Sequence, residues 1–209
     1  MKLNETSPLM IDALPDLRQH YPEPSARAQG KSIDHLDVHC RRFIALAPFV
    51  VLATVGSDGQ LDASPRGGAT GFVRCVDDHT LWLPDASGNN RLDSLSNIVE
   101  TGRVGVLFLI PGIDETLRLN GAARLREDDE ALSAFPDERK PPRVVLEITV
   151  QEVFLHCAKA LMRSKLWDAE RHQERSVLPT MREMLNAHTG LAQPPETQEE
   201  MRARYAPDV

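Results

Sequence analysis

The chain has 209 residues, 41% of them hydrophobic and 26% charged, which supports one ordinary globular core with room for helical extensions. A formal charge of −7 does not provide the broad basic surface of a general nucleic-acid binder, although a few local arginines can still hold an anionic ligand. Three widely spaced cysteines, Cys40, Cys75 and Cys157, contain no C-x-x-C pair, so neither a zinc ribbon nor a disulfide framework is indicated.

The chain opens without a basic start followed by an apolar stretch, so no signal peptide is expected. Residues 1–31 hold several prolines and scattered charges and are expected to form an irregular arm. Ser32 is the expected N-cap of a helix over "IDHLDVHCRRFIALA", with Ile33, Leu36, Phe43, Ile44 and Leu46 near helical spacing and Pro48 as its stop. "FVVLATVG" is a β-branched strand, "SDG" a turn, and "QLDASP" a returning strand, which together predict a hairpin. "GFVRCV" and "HTLWLP" predict a second hairpin around Asp77 and Asp78. "NNRLDSLSNIVETG" is an amphipathic helix with Leu92, Leu95, Ile98 and Val99 on one face, ending at Gly102. "VGVLFLI" reads as a buried strand and "TLRLNGAARLRE" as a long one on which Gly121 marks a bulge or bend. "DDEALSAF" predicts a short helix, "RVVLEITVQEVFLHC" a further strand, and the last fifty residues two helices, "KALMRSKLW" and "LPTMREMLNAHTG", with a polar tail. The apolar runs at 49–55 and 104–110 are of strand length and too short to cross a bilayer. Consecutive strands with only short helices between them argue for an antiparallel barrel with helical decoration rather than a doubly wound parallel sheet. A barrel of this size invites a ligand site at a dimer interface.

Three segments could carry chemistry. In "DASPRGGATGFV" a proline, an arginine and three glycines stand where a sheet would ordinarily continue. Pro65 favours an extended Ser64, the glycines at 67 and 68 leave backbone N–H groups accessible, and Arg66 adds a rigid fork of donors suited to phosphate. The competing reading is a glycine-rich loop with an exposed arginine. "GGATG" is not a dinucleotide fingerprint, because a strand follows it rather than a helix. In "SGNNRLDSLSNI" Asn90 precedes a helix and Arg91 is expected in its first turn, against the helix dipole, which suggests a compensating anion. Alternatively, Asn89 or Asn90 caps the helix and Arg91 is solvated. In "HCAKALMRSKLW" Lys159, Arg163 and Trp167 follow one another at four-residue spacing, a stripe of two cations and an indole suited to an anionic aromatic ligand, or else a surface helix whose tryptophan packs on the barrel.

Other arrangements point elsewhere. "HLDVH" sets His35 and His39 one helical turn apart, but lacks the glutamate of H-E-x-x-H and a third ligand, so no metal site is expected. Ser64 is not in G-x-S-x-G and has no histidine partner, which argues against a hydrolase. His156 and Cys157 read as core or strand-end residues, and "REDDE" and "ETQEE" as solvated faces.

"TVGSDGQLDASPRGGATGFV", "TLWLPDASGNNRLDSLSNI", "VGVLFLIPG" and "TLRLNGAARL" resemble, in order and spacing, the pyridoxamine 5′-phosphate oxidase-like flavoproteins of the FMN-binding split-barrel group. "HCAKALMRSKLW" is similar to the C-terminal signature of one bacterial subgroup. The resemblance implies a mainly β fold with peripheral helices, built on a six-stranded antiparallel split barrel. It also implies a homodimer with FMN at the subunit interface. By the same resemblance Ser64, Arg66 and Gly67 would lie against the flavin and its phosphoribityl tail, Asn90 and Arg91 would address the phosphate, and Lys159, Arg163 and Trp167 would close the site. The chain departs from the true oxidase in lacking its C-terminal substrate-binding signature, so pyridoxamine phosphate is not implied as substrate.

The expected organisation is an arm over 1–31, an FMN-binding split-barrel domain with an N-terminal helix over 32–170, and a helical extension and tail over 171–209. The expected function is that of an FMN-dependent oxidoreductase acting on a small organic substrate in the cytoplasm, with NAD(P)H as candidate donor and with no nucleic-acid or membrane partner. The rivals are a non-catalytic flavin-binding or sensing protein and a haem- or deazaflavin-binding relative on the same fold.

Overall fold

The computed structural model describes residues 10–85, 88–136 and 140–208. Ser87 of the expected anion-binding segment, 137–139 in the loop ahead of the last strand, and the first nine residues of the arm lie outside the described residues. The chain divides between Ser32 and Ile33 into two units. In the first, the expected irregular arm contains two short helices, α1 (Leu14–Gln19) and α2 (Ala26–Gln29). Pro15 sits in the first turn of α1, where its missing N–H costs nothing, and the Ser25 hydroxyl caps α2 by accepting from the Ala28 N–H at 3.2 Å.

The second unit begins with an extended stretch, not a helix. Ile33 exchanges backbone hydrogen bonds with Val153, and α3 (Val38–Leu46) starts only after Asp37, whose carboxylate accepts from the Cys40 N–H at 2.7 Å. His35 therefore lies outside the helix that carries His39, and the two do not share a helical face. Two hairpins follow as the turn residues predict: β1 (Phe49–Val55) with β2 (Leu61–Gly67), and β3 (Arg74–Cys75) with β4 (Thr80–Pro84). Gly59 at φ 83° closes the first, a left-handed turn that glycine adopts without steric cost.

Helix α4 (Asp93–Thr101) ends at Gly102 and leads to β5 (Arg103–Leu109) and β6 (Thr116–Arg126). Then come α5 (Asp129–Ser133), β7 (Val145–His156), α6 (Lys159–Ser164) and α7 (Met181–Thr189). The expected polar tail holds a further helix, α8 (Gln198–Tyr205), which opens on a capping box formed by Thr197 and Glu200.

All strand pairings are antiparallel, in the order β2-β1-β5-β6-β7-β4-β3. This corrects the expected six strands to seven. The outermost strands β2 and β3 do not pair with each other, so the barrel is not closed. Because β2 is an edge strand, Pro65 continues it opposite Val51 instead of breaking it, since its missing donor is not needed on the open side. The apolar core gathers Val50 and Leu52, Val106 and Phe108, Leu117 and Leu119, and Leu146 and Ile148 from four central strands against Ile44 of α3 and Ile98 of α4. A smaller cluster of Trp82, Ala131, Phe135 and Val145 lies beside α5.

The β6–β7 register shifts at Asn120 and Gly121: Asn120 faces Glu152 and Gly121 faces Val150, so the extra residue is Gln151 on the partner strand. "REDDE" is not the solvated run its composition suggests. Arg126 donates to Asp128, Glu130 and the buried Glu147, which also accepts from Trp82 Nε1 at 3.1 Å. "ETQEE" likewise supplies Glu196 to Arg182 and Arg204.

Candidate functional site

Strand alternation sends Asp62, Ser64 and Arg66 to one face of β2 and leaves Leu61, Ala63 and Pro65 on the other. Because β2 is outermost, that face is covered by a helix rather than by a strand. Helix α4 docks on the hairpin through polar side chains. Ser94 Oγ donates to Asp62 Oδ2 at 2.5 Å, Asn97 Nδ2 to Thr54 Oγ1 at 3.0 Å, and Thr101 Oγ1 to the Val55 carbonyl at 2.8 Å. Glu100 accepts from the Ser57 N–H and hydroxyl at 2.9 and 2.8 Å. Positions 94, 97 and 101 are a helical stripe, and it is this stripe that faces the sheet. Of the expected apolar face, Ile98 is buried and Leu95 packs against the core, whereas Leu92 and Val99 are exposed.

Between β2 and α4 opens a cleft of about 1560 Å³, above the roughly 300–1,000 Å³ of an ordinary small-molecule pocket. Its walls are residues 64–67, the loop and helix start over 88–96, the outer α4 residues Val99 and Glu100, and the segment 140–144. Arg66 is half-buried in the first wall. Its Nη1 donates to Ser64 Oγ and the Pro65 carbonyl, each at 3.1 Å, and its Nη2 to Ser94 Oγ at 3.2 Å. Its Nε is buried without an acceptor, an arrangement that costs free energy until an acceptor arrives.

The second wall departs from expectation. Helix α4 starts at Asp93, so Arg91 lies ahead of the helix rather than in its first turn. Asn89 Oδ1 accepts from the Arg91 N–H at 3.0 Å, and the Arg91 guanidinium, 73% exposed, donates to Asp93 Oδ2 at 2.8 Å. Its position relative to the dipole is thus balanced by a neighbouring carboxylate. Asn90 and Leu92 both have φ near +60° (60° and 61°), which is ordinary for asparagine but strained for leucine. Leu92 stands at the N-cap position and no side chain caps the first turn, so its leading N–H groups keep the partial positive charge that attracts anions.

Ser64, Arg66, Gly67, Asn90 and Arg91 therefore share one cleft. Lys159, Arg163 and Trp167 do not line it. Lys159 and Arg163 are exposed on α6 and make no ion pair among the described residues. Helix α6 ends at Ser164, with Lys165 left-handed at φ 51°, so Trp167 leaves the stripe and donates its indole N–H to the Ile113 carbonyl at 2.9 Å. Residues that sequence reasoning passed over include Asp62 and Ser94, whose small polar pattern at 94, 97 and 101 was the available signal. Asp85 and Arg143 also line the cleft. Burial pushes the Asp85 carboxyl above its ordinary value, against the pull of the Arg66 and Arg143 charges. Among the described residues no group of three or more His, Cys, Asp or Glu side chains is placed to hold a metal ion, and no helix is long and apolar enough to cross a membrane.

Three solved structures place this architecture among known folds. HupZ of Group A Streptococcus is 20% identical, with a TM-score of 0.48 over 57% of this chain and 92% of its own. An FMN-binding protein from Syntrophomonas wolfei is 15% identical, with a TM-score of 0.44 over 56% and 83%. HutZ, a haem storage protein from Vibrio cholerae, is 12% identical, with a TM-score of 0.42 over 57% and 94%. No curated protein matches the chain at a significant level. The sequence model of the family described as Pyridoxamine 5′-phosphate oxidase matches residues 36–157, more than half of the chain and the whole span from the approach to α3 to the end of β7. The chain belongs to the pyridoxamine 5′-phosphate oxidase family.

Proposed function

We propose that the cleft between β2 and α4 binds FMN, and that the chain is an FMN-dependent oxidoreductase acting on a small organic molecule with a nicotinamide as candidate electron donor. One juxtaposition carries the reading: a half-buried arginine with an acceptor-less Nε and a helix start without a side-chain cap flank the same cleft, although Arg66 and Asp93 are distant in sequence. A phosphate or a flavin carbonyl answers both needs, because each offers acceptors to a guanidinium and to backbone N–H groups. Ser64, Arg66 and Gly67 then lie along the ring and the phosphoribityl tail, while Asn90 and Arg91 address the phosphate, with Arg91 exchanging Asp93 for the ligand. The exposed Leu92 and Val99 offer apolar surface beside the ring.

Bound FMN supplies the hydride and electron transfer, and the chain's residues bind it, orient it and balance its charge. The alternative of haem is less well served, because none of the described lining residues is a histidine, cysteine, methionine or tyrosine able to act as an axial ligand. The cleft is broad and open on the side away from the sheet, which suits closure by a second copy. In that homodimer Lys159, Arg163 and Trp167 would reach the neighbouring cleft. Three free cysteines fit a reducing, cytoplasmic setting.

The test is titration of the protein with FMN, followed by quenching of flavin fluorescence. Arg66→Ala and Arg91→Ala should each weaken binding roughly tenfold or more, since each removes a charge-assisted hydrogen bond worth about 1–3 kcal/mol. Unchanged affinity in both variants would overturn the assignment. Anaerobic mixing of the flavin-loaded protein with NADH or NADPH separates the enzyme from a sensing protein: bleaching of the flavin supports turnover, and persistence of its colour with every donor supports the binding module.

A further inference from the structure

We infer that Ser94 is a positioning residue for Arg66, and that Asp62 sets the direction in which it works; the inference rests on the flavin reading of the cleft. Ser94 is 2% exposed, in the first turn of α4, yet it has no cap role there and packs against no apolar neighbour that would account for a hydroxyl. Its proton is committed: an ionised carboxylate can only accept, so the 2.5 Å contact with Asp62 Oδ2 must be donated by Ser94 Oγ. That leaves the lone pairs of Oγ to face Arg66, whose Nη2 donates to them at 3.2 Å. The chain Arg66 to Ser94 to Asp62 therefore runs one way, and each bond polarises the next. Ser64 Oγ and the Pro65 carbonyl hold Nη1 from the strand side, so both terminal nitrogens are tied and the guanidinium plane is held from two elements at once. What remains unpaired is Nε.

Ser94 thus couples the two walls. It ties the start of α4, where the phosphate would dock, to the arginine on β2. A serine is required by size as well as chemistry, because at this burial only a small side chain brings an oxygen within reach of both partners. Asp62 contributes charge as well as geometry, lying two residues along the same strand face as Ser64 and four from Arg66.

The experiment is a double-mutant cycle on FMN affinity, with the melting temperature of the FMN-free protein measured alongside. Ser94→Ala should weaken FMN binding by about tenfold in the wild-type background and by less than about twofold in the Arg66→Ala background, because the hydroxyl acts through the guanidinium. Equal losses in both backgrounds would overturn the inference, as would a folded Ser94→Ala protein that binds FMN as wild type does. Should Ser94→Ala not fold, Ser94→Thr and Ser94→Val share one shape and differ in the hydroxyl alone, so the inference requires Thr to bind FMN about tenfold more tightly than Val, and equal affinities contradict it. If Arg66→Ala itself leaves FMN binding intact, the flavin role of Arg66 fails and Ser94 falls with it. A loss at Arg66→Ala with none at Ser94→Ala removes the positioning role alone.

Discussion

Gly121→Ala should destabilise the fold strongly, and the size of the effect follows from the β6–β7 bulge. A Cβ built at Gly121 lies 2.2 Å from the Thr149 carbonyl oxygen, 3.1 Å from its carbon and 3.4 Å from Ile148 Cγ2. The obstructing atom is backbone, so no side-chain rotation relieves it. Restoring ordinary contact requires the strands to part by about 1 Å, enough to weaken the hydrogen bonds beside the bulge, where a buried residue of the core strand already leaves the regular register. We expect a loss of about 2–4 kcal/mol, the range of overpacking with a broken buried hydrogen bond. For a domain of this size that lowers the melting temperature by roughly 4–16 °C. Urea unfolding followed by tryptophan fluorescence reads the change, since Trp82 lies on β4, which pairs with β7. The midpoint should fall with the slope unchanged. Gly105→Ala is the control, because its Cβ would meet the Asn120 side-chain oxygen at 3.3 Å and the Ala53 methyl at 3.7 Å, contacts that a side chain can yield. A Gly121→Ala protein as stable as wild type, or less affected than Gly105→Ala, would refute the tight approach of the two strands.

Two further outcomes are expected. Hydrogen bonds from Arg126 hold the Asp128 carboxyl down at about 2; its stabilising contribution is therefore complete above about pH 4, the ordinary aspartate value, and is lost as pH falls through about 2. Acid unfolding of Asp128→Asn should accordingly converge with that of wild type at low pH and separate from it above, and parallel curves throughout would contradict the ion network. Burial pushes the Cys40 thiol up to about 12 and also raises Cys75, whereas Cys157 is exposed. A thiol reagent should label one cysteine per native chain promptly and the other two only on unfolding; rapid labelling of all three would contradict the packing of α3 on the sheet.

Local chemistry was legible wherever the partner was local. The Ser57-Asp58-Gly59 turn specifies the first hairpin, and Gly121 marked the irregular strand pair although the extra residue, Gln151, stands across from it. Nonlocal competition decided the rest. Ile33 fits a helical stripe, but its backbone is taken by Val153, and Asp37 supplies the cap in place of Ser32. Pro65 reads as a strand breaker unless the strand is known to lie at an edge, and the edge is set by strand order. On α4, two apolar residues of the visible stripe face outward because Ser94, Asn97 and Thr101 satisfy the sheet with hydrogen bonds, a polar interface that periodicity of hydrophobic residues does not reveal. The candidate site was half legible for the same reason: its two segments are each short and recognisable, whereas the carboxylates and the serine that join them acquire meaning only in contact. The α6 residues belong to a different surface of the single chain, and their stripe is cut by the left-handed Lys165.

A crystal structure of the protein grown with FMN tests the central claim most directly. The account predicts the phosphate within hydrogen-bonding distance of Arg66 or of the first-turn N–H groups of α4, with the ring alongside Ser64 and Gly67 and Arg91 turned away from Asp93. Flavin bound at another surface, or a cleft in which Arg66 and the start of α4 keep their present partners and contact no ligand, would contradict it.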